Sequence, residues 1–213
     1  MRRTKSYTPR NAAPLATSIT YRELKEADIQ QLQEIALKVW EFTYQGIYTP
    51  ASIRRQVSEY YATDVLKAEI RGAKRGRFCF QVALDDERLI GYVNGGSTEG
   101  AWKLLKFLPK EDDSTPGWEL FRIYLLPEYH GRGIGKELLR RWEGFLRRRK
   151  VRRYSVYIEP KNKLGERFYL RNGFVRAKEL DRGPSSPCFV RTLDRWRARA
   201  WSERKGEALK GTR

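Results

Sequence analysis

Residues 127–139, PEYHGRGIGKELL, decide the fold of this chain. The segment holds three alternating glycines, Gly131, Gly133 and Gly135. They lie between an apolar strand pattern that ends at Pro127 and the start of an amphipathic helix. Glycines let backbone amides approach a ligand, and these amides together with the positive end of the helix dipole suit a pyrophosphate group. Because Arg132 and Lys136 add positive charge, we predict an anion-binding loop here.

Other phosphate-binding loops fit this segment less well. A Walker loop has four residues between its glycines and a Ser or Thr after the lysine, whereas Gly131 and Gly135 enclose three and Glu137 follows Lys136. A dinucleotide fingerprint has a longer last interval between glycines. A turn that only reverses the chain is the remaining alternative, and three glycines amid basic residues argue against it.

The composition indicates one globular domain with basic ends. The chain has 213 residues, of which 40% are hydrophobic, and 44 Lys and Arg stand against 26 Asp and Glu. A net charge of +18 favours polyanionic partners. We expect a flexible basic tail over residues 1–18, a folded domain over 19–194 and a basic segment over 195–213. These tails are candidates for contact with nucleic acid or ribosomes, and the alternative is that they are solvated ends.

Neither a membrane segment nor a metal site is indicated by the sequence. No stretch approaches the roughly 20 apolar residues of a membrane span, and the amino terminus lacks the apolar run of a secretory signal. We therefore expect a cytoplasmic protein without membrane contact. Cys79 and Cys188 lie far apart, with no Cys/His cluster near either, so both are expected to be reduced and packed.

The first half of the chain is expected to fold as a strand, two helices and a hairpin. The strand covers 19–25, and a helix follows with apolar residues at helical spacing from Ile29 to Val39. A second helix is predicted over 51–70. Two apolar runs within 77–96 flank an acidic turn, which predicts an antiparallel hairpin. The charged stretch 97–117 is predicted to be a loop that covers a site.

The second half is expected to alternate strands and helices. A strand over 118–126 leads into the glycine loop, and the following helix has an apolar stripe from Leu138 to Leu146. A strand over 152–159, a short helix within 162–174 and a last strand from Cys188 complete the pattern.

The stretch from Trp118 to Phe174 resembles the core of the GNAT N-acetyltransferase superfamily. That family's signature is Arg or Gln, two residues, Gly, one residue, then Gly or Ala, and His130 to Gly135 match it except that His130 replaces the first residue. A second motif places Tyr seven residues after Asn, followed by Gly-Phe. Its residues here are Asn162, Phe168, Tyr169, Gly173 and Phe174.

The resemblance implies an α/β (α+β) fold with acetyl coenzyme A as its cofactor. The expected GNAT fold is a mixed, twisted sheet of about seven strands with about four helices. Its two central parallel strands, here 118–126 and 152–159, splay apart. The pantetheine arm of the cofactor would lie in the gap and pair with the backbone near Leu125 and Leu126 like an added strand.

The resemblance also assigns further cofactor contacts. The diphosphate would be held by the loop residues His130, Gly131, Arg132, Gly133, Ile134, Gly135 and Lys136. Asn162 would orient the cofactor arm, or else cap the helix that follows it. Arg171 is a candidate for a phosphate contact. A histidine can also act as a base, but His130 occupies the position of a cofactor-loop residue.

Two residues are candidates for catalysis. Tyr169 lies where the family has its general acid, which would protonate the coenzyme A thiolate, and the alternative is a core aromatic residue. Glu119 is the candidate base for the amine, and the alternatives are a glutamate paired with an arginine, or water and a main-chain carbonyl in its place. Alternation along the strand assigns Glu119 and Leu125 to one face and Arg122 and Tyr124 to the other.

The acceptor is expected to be a primary amine of a small molecule or a protein. The pocket would be shaped by the segment WEFTYQGIYTP, in which Trp40, Tyr44 and Tyr48 either line the pocket or belong to the core. The function predicted is acetyl transfer by direct attack in a ternary complex. The alternative is a nucleic-acid- or ribosome-binding protein with this fold and basic tails. A monomer or a homodimer fits either function.

Overall fold

A single seven-stranded sheet forms the centre of the molecule. The structure, a computed structural model, describes residues 18–99 and 116–193. The predicted basic tails and most of the predicted 97–117 loop lie outside these residues. The strands are β1 (Ile19–Glu23), β2 (Phe78–Asp85), β3 (Arg88–Ser97), β4 (Trp118–Leu125), β5 (Arg153–Tyr157), β6 (Val175–Arg176) and β7 (Cys188–Thr192). Their order in the sheet is β1-β2-β3-β4-β5-β7-β6.

Five α-helices are present in the described part of the chain. They are α1 (Ile29–Tyr44), α2 (Pro50–Tyr60), α3 (Thr63–Lys74), α4 (Ile134–Arg148) and α5 (Lys163–Arg171). Short 3-10 turns cover Glu26–Asp28, Pro127–Tyr129 and Lys178–Leu180. The apolar stripe predicted for the helix after the glycine loop is buried in α4, where Leu138, Trp142 and Leu146 are inaccessible to solvent.

The sheet opens between its two central strands. All neighbouring strands are antiparallel except β4 and β5, which are parallel and paired only at Glu119 and Ser155. Beyond that pair the two strands diverge toward their carboxyl ends, and we call the gap between them the wedge. The predicted fold class, with its mixed sheet and splayed parallel strands, is confirmed.

The structure has one helix more than the four located in the sequence, because the helix predicted over 51–70 is two helices. Thr49 caps the start of α2 by accepting from the amide of Ser52, and α2 ends at Tyr60. The break is held by contacts from distant residues: Arg122 donates to the Tyr60 carbonyl at 3.1 Å, and Gln33 donates to the carbonyl of the next residue at 2.8 Å. These carbonyls are therefore satisfied without a continuous helix.

A β-bulge in β4 changes the faces assigned from simple alternation. Asn94 of β3 pairs with Arg122, but Gly95 pairs with Leu120, so one residue of β4 is passed over. Opposed residues share a face of the sheet, and the pairing therefore puts Glu119 on the same face as Arg122 and Tyr124. The sequence-based assignment of Glu119 to the face of Leu125 is wrong for this reason.

The face that carries Arg122 packs against α1 and α3. Arg122 forms an ion pair with Glu69 of α3 at 2.9 Å, and both side chains are almost completely buried, at 4% and 0% exposed. The guanidinium also lies over the ring of Tyr61, 4.7 Å from its centroid. Tyr61 in turn hydrogen-bonds Tyr92 of β3 at 2.7 Å. A charged and polar network thus joins the α2–α3 break to the centre of the sheet.

The described residues bear on the predicted absence of a membrane segment and of a metal site. None of the described helices has the length and apolar character needed to cross a membrane. In residues 18–99 and 116–193 there is also no cluster of three or more His, Cys, Asp or Glu that could hold a metal ion. Cys79 and Cys188 are both buried and unpaired, as expected for packed thiols.

Candidate active site

The glycine loop is fastened to the sheet by an aromatic side chain. The 3-10 turn Pro127–Tyr129 follows β4, and the hydroxyl of Tyr129 donates to Asp85 of β2 at 2.7 Å. The guanidinium of Arg132 lies over the Tyr129 ring, 5.3 Å from its centroid. The loop thereby starts from a fixed point at the open end of the wedge.

Beyond this turn the backbone takes conformations that favour glycine. Gly131 and Gly133 have φ angles of +76° and +82°, and Gly133 is the residue that immediately precedes α4. A Cβ atom built on either glycine would meet no atom within 4 Å, so open space lies beside both. Gly135 differs, because its Cβ would come within 3.3 Å of the Phe168 ring, and there the missing side chain allows α4 and α5 to pack closely.

The amides of this loop are free to bind a ligand. None of the N–H groups of residues 131–136 donates to a described carbonyl or side chain, whereas the Glu137 amide returns to the Gly133 carbonyl at 3.0 Å. Gly131, Arg132, Gly133 and Lys136 are exposed. Unsatisfied amides at a helix N-terminus, flanked by two cations, form the kind of cradle that binds phosphate oxygens.

At the end of β4, the backbone groups of Leu125 point into the wedge and those of Leu126 do not. The Leu126 amide donates to Ile90 of β3 at 2.9 Å, and its carbonyl accepts from Tyr129, so both of its backbone groups are bonded internally. Because backbone groups alternate along an antiparallel pair, those of Leu125 point toward β5. The Leu125 carbonyl accepts from Nε2 of His130 at 2.9 Å, which requires the proton on Nε2. His130 thus links the loop to the wedge.

Phenol groups converge near the carboxyl ends of β4 and β5, beside the wedge. Tyr44, at the end of α1, and Tyr124, on β4, share a hydrogen bond of 2.8 Å. Tyr48, between α1 and α2, donates to Glu159, just beyond β5, at 2.5 Å, and its ring centroid is 5.4 Å from that of Tyr44. Tyr169 of α5 is 6% exposed. We call these four tyrosines and Glu159 the phenol–carboxylate cluster.

The environment of the cluster keeps its phenols protonated. Burial raises the pKa of Tyr44 to about 12, and the nearby Glu159 carboxylate acts in the same direction. Burial, followed by the neighbouring Tyr44, also raises the pKa of Tyr169 well above its ordinary value. Tyr169 donates no hydrogen bond to another described residue, and its ring packs against Phe174 with centroids 5.1 Å apart. Its hydroxyl is therefore a protonated donor that is not used within the described fold.

Comparison with known proteins identifies the family that this geometry belongs to. Residues 31–174, which include the wedge, the glycine loop and the Asn-Tyr-Gly-Phe motif, match the acetyltransferase (GNAT) family. The chain belongs to the GNAT family. It is 32% identical over 158 residues to a spermidine N(1)-acetyltransferase of Thermoplasma acidophilum, a match that covers 74% of this chain and 88% of the relative.

Solved structures of acetyltransferases share the same fold. A PaiA N-acetyltransferase from Thermoplasma acidophilum, crystallised in complex with coenzyme A, matches 83% of this chain and 99% of its own, with a TM-score of 0.70 and 28% identity. An acetyltransferase from Thermus thermophilus gives a TM-score of 0.55 at 18% identity over 83% of this chain and 97% of its own. The prediction of an acetyl coenzyme A-dependent N-acetyltransferase is confirmed at the level of the family.

The residues of this acetyltransferase fit the cofactor. The free amides of residues 131–136, the open space beside Gly131 and Gly133, and the outward backbone of Leu125 together form a continuous path from the loop into the wedge. Bound acetyl coenzyme A supplies the acetyl thioester. The chain contributes the cradle, the strand edge and the cluster at the end of the path.

Glu119 lies away from the cluster, at the closed end of the wedge. It is 5% exposed and forms an ion pair with Arg182 of the β6–β7 connection at 2.9 Å, and Arg182 also lies over the Tyr157 ring at 3.7 Å. Burial raises the pKa of the Glu119 carboxyl, and Arg182 opposes that rise. The arginine pairing that was one alternative for Glu119 is therefore present in this GNAT domain.

The second motif contributes a helix cap and a packed ring. Asn162 accepts from the Gly165 amide at 2.9 Å and caps α5, which was the structural alternative for this residue. Phe168 is packed against the core beside Gly135. Arg171 is exposed at the end of α5.

Sequence reasoning missed two members of the cluster, Glu159 and Tyr124. Both follow or end a central parallel strand, and ligands of open α/β sheets bind outside the carboxyl ends of such strands. That rule is the signal that identifies them. Trp40 is buried and donates to Tyr61 at 3.1 Å, so it belongs to the core beneath the cluster. Tyr44 is also part of the core and bonds Tyr124, whereas Tyr48 is partly buried and bonds Glu159.

Proposed function

We propose that this enzyme transfers the acetyl group of acetyl coenzyme A to a primary amine of a small aliphatic molecule of the spermidine type. The observation that carries the proposal is the convergence of phenols and a carboxylate at the open end of the wedge, next to the free amides of the glycine loop. The spermidine acetyltransferase named above supports the choice of acceptor. A net charge of +18 repels a polyamine from the protein as a whole, and a carboxylate at the site supplies the local attraction that a polyamine requires.

The reaction requires two proton movements that the chain's residues can carry. An alkyl ammonium has a pKa of about 10 in water, so the acceptor amine loses a proton before its lone pair attacks the thioester carbonyl. The amine is then acetylated directly in the ternary complex, and coenzyme A leaves as a thiolate. Glu119 is the candidate for the first proton, although its pairing with Arg182 means that the amine or a water molecule has to reach a buried carboxylate.

Tyr169 is the candidate for protonating the leaving thiolate. Its raised pKa keeps the hydroxyl protonated over the whole neutral pH range, so a proton is always available for donation. The transfer leaves a phenolate on Tyr169 and removes a thiolate, and because burial disfavours both anions, the cost of the first is offset by the relief of the second. Once protonated, coenzyme A is a poor nucleophile toward the acetylated product.

The cofactor contacts proposed from the sequence are retained except for the backbone of Leu126, whose amide and carbonyl are both bonded within the fold. Leu125 offers the backbone edge for the pantetheine arm, with the Leu126 side chain packed behind it. The loop from His130 to Lys136 supplies amides and charge for the diphosphate, and Arg171 and Asn162 lie on and before α5. The free amides and the open space beside the glycines support the assignment of the loop, whereas Asn162 and Arg171 are carried over from the family resemblance.

The test is a thiol-release assay with acetyl coenzyme A and three acceptors: spermidine, n-butylamine and a peptide with a free amino terminus. We expect release that depends on the small amines, with little from the peptide. Tyr169→Phe should lower kcat by roughly 100-fold while the dissociation constant of acetyl coenzyme A changes less than about 3-fold. Release with the peptide alone, or an unchanged kcat in Tyr169→Phe, would contradict the acceptor or the role of Tyr169, respectively.

A further inference from the structure

We propose that Glu159, held in place by Tyr48, forms a binding subsite for a second positive charge on the acceptor. The enzyme would accordingly select linear amines that carry two or more ammonium groups over monoamines of the same chain length. The inference rests on the proposed function, since it concerns how a small amine is chosen at the same site.

The first support is that Glu159 lacks a cationic partner. One carboxylate oxygen accepts from the Tyr48 hydroxyl at 2.5 Å, and the other accepts from the Lys161 amide at 3.3 Å. Among the ion pairs of residues 18–99 and 116–193, none involves Glu159. A partly buried carboxylate with neutral donors only is stabilised further when a cation binds beside it.

The contrast between the partly buried Glu159 and the fully buried glutamates strengthens the point. Glu69, Glu119 and Glu143 are each paired with an arginine in the described fold. The chain has 44 Lys and Arg for 26 Asp and Glu, so cations are abundant, yet of the two carboxylates that border the wedge only Glu119 forms an ion pair within the described residues. The fold therefore leaves at Glu159 a negative charge that a ligand can neutralise.

The second support is the position of Glu159 relative to the reacting end of the wedge. Glu159 follows β5, and Tyr124 lies near the end of β4, so the two flank the opening from opposite sides. The Tyr44 phenol bonds Tyr124, and its pKa is raised in part by Glu159. The pKa of Tyr169 is in turn raised in part by Tyr44. A chain of neighbouring groups thus runs from the proposed subsite to the proposed proton donor.

The third support is the set of aromatic rings between the proposed subsite and the proposed proton donor. The rings of Tyr44 and Tyr48 lie 5.4 Å apart at an angle of 39°, and Trp40 lies beside Tyr44 at 4.9 Å. Aromatic faces pack well against methylene chains and attract cations. A polymethylene linker lying along these rings would place one amine at Glu159 and the other toward the thioester. The chemical class of ligand is therefore a linear diamine or polyamine.

The experiment compares a matched pair of acceptors in four proteins. The acceptors are n-butylamine and putrescine, which have the same carbon chain and differ by one terminal amine. The proteins are the full-length wild type, Glu159→Gln, Tyr48→Phe and the control Glu34→Gln, which removes the same charge from the exposed surface of α1. Steady-state kinetics give kcat and KM separately, and thermal unfolding establishes that each variant is folded.

We expect the wild type to prefer putrescine in kcat/KM by at least 10-fold. In Glu159→Gln the KM for putrescine should rise roughly 10- to 100-fold, the range for loss of one hydrogen bond to a charged group, while the constants for n-butylamine change little. Tyr48→Phe keeps the ring and the carboxylate but removes the bond between them, so a smaller rise is expected. Glu34→Gln should behave as the wild type does.

Three outcomes would overturn the proposal. The first is equal kcat/KM for both amines in the wild type, which refutes the subsite while leaving the proposed function intact. The second is a Glu159→Gln variant that loses kcat equally for both amines at constant KM, because Glu159 would then act in the transfer step. The third is transfer to the peptide but to neither small amine, which refutes the proposed function itself and the subsite with it.

Discussion

The buried ion pair between Arg122 and Glu69 yields a quantitative prediction about stability. Both side chains are out of contact with solvent, and Arg122 also donates to the Tyr60 carbonyl. Arg122→Met leaves the Glu69 carboxylate buried without a counter-charge, which costs about 3–5 kcal/mol. For a chain of this size each kcal/mol corresponds to roughly 2–4 °C, so the midpoint of thermal unfolding should fall by about 6–20 °C.

The penalty should depend on pH in a defined direction. Burial raises the pKa of the Glu69 carboxyl, and Arg122 opposes that rise in the wild type. Without the guanidinium the folded-state pKa rises further, so the folded variant binds a proton more tightly than the unfolded chain does. Its stability is therefore greatest at acid pH and declines as the pH rises through the folded-state pKa. Urea unfolding between pH 4 and pH 8 should show a gap to the wild type that widens with pH.

A double variant separates the loss of the pair from the loss of packing. Glu69→Leu combined with Arg122→Met removes both charges and retains apolar volume, and it should recover to within about 2 kcal/mol of the wild type. An Arg122→Met variant that loses less than about 1 kcal/mol, or a double variant as unstable as the single one at every pH, would show that the ion pair does not account for the stability.

Three further predictions concern the cradle, the first helix and the candidate base. Gly133→Asp should weaken acetyl coenzyme A binding at least about 100-fold, as measured by calorimetry, because it puts a carboxylate in the open space beside the free amides. The control Gly183→Asp changes a glycine with a similar φ of +75° and should leave binding unchanged. Asp28→Asn should lower the free energy of unfolding by about 1–2 kcal/mol at neutral pH, because it removes the carboxylate to which Arg22 donates. The hydrogen bond from Arg22 lowers the pKa of Asp28, so this stability is present above the ordinary pKa and is lost as the pH falls through the lowered pKa. The unfolding curves of the variant and the wild type should therefore converge in acid. Glu119→Gln should shift the activity profile to higher pH if Glu119 takes the proton of the amine, and an unchanged profile would remove it from the mechanism.

Much of the fold could be predicted because its signals are local. The acidic turn of the β2–β3 hairpin, with Asp86 at a positive φ of 52°, and the apolar stripe of α4 both depend on residues close in sequence. The glycine loop is recognisable for the same reason, since its function depends on consecutive backbone amides. The fold, the cofactor and the family follow from these segments.

The features that were wrong or missed depend on contacts between distant segments. The α2–α3 break is held by Arg122 and Gln33, and the only local trace is the five-residue step from Tyr61 to Leu66 in an otherwise four-residue apolar spacing. The bulge in β4 is fixed by its pairing with β3 and is invisible in an alternating pattern. The position of Glu159 beyond a central strand is visible in the sequence, but its hydrogen bond from Tyr48, more than a hundred positions earlier, is not.

The single residue pair between β4 and β5 has a mechanical consequence. The sheet is in effect two smaller sheets, β1–β4 and β5–β7, joined at Glu119 and Ser155 and by the helices that pack across them. A pantetheine arm bound along Leu125 would connect the two halves, since it would lie between β4 and β5 where these strands are no longer paired. Occupancy by the cofactor would then set the stiffness of the whole domain, and backbone amides on both sides of the seam would exchange with deuterium more slowly in the complex than in the free enzyme.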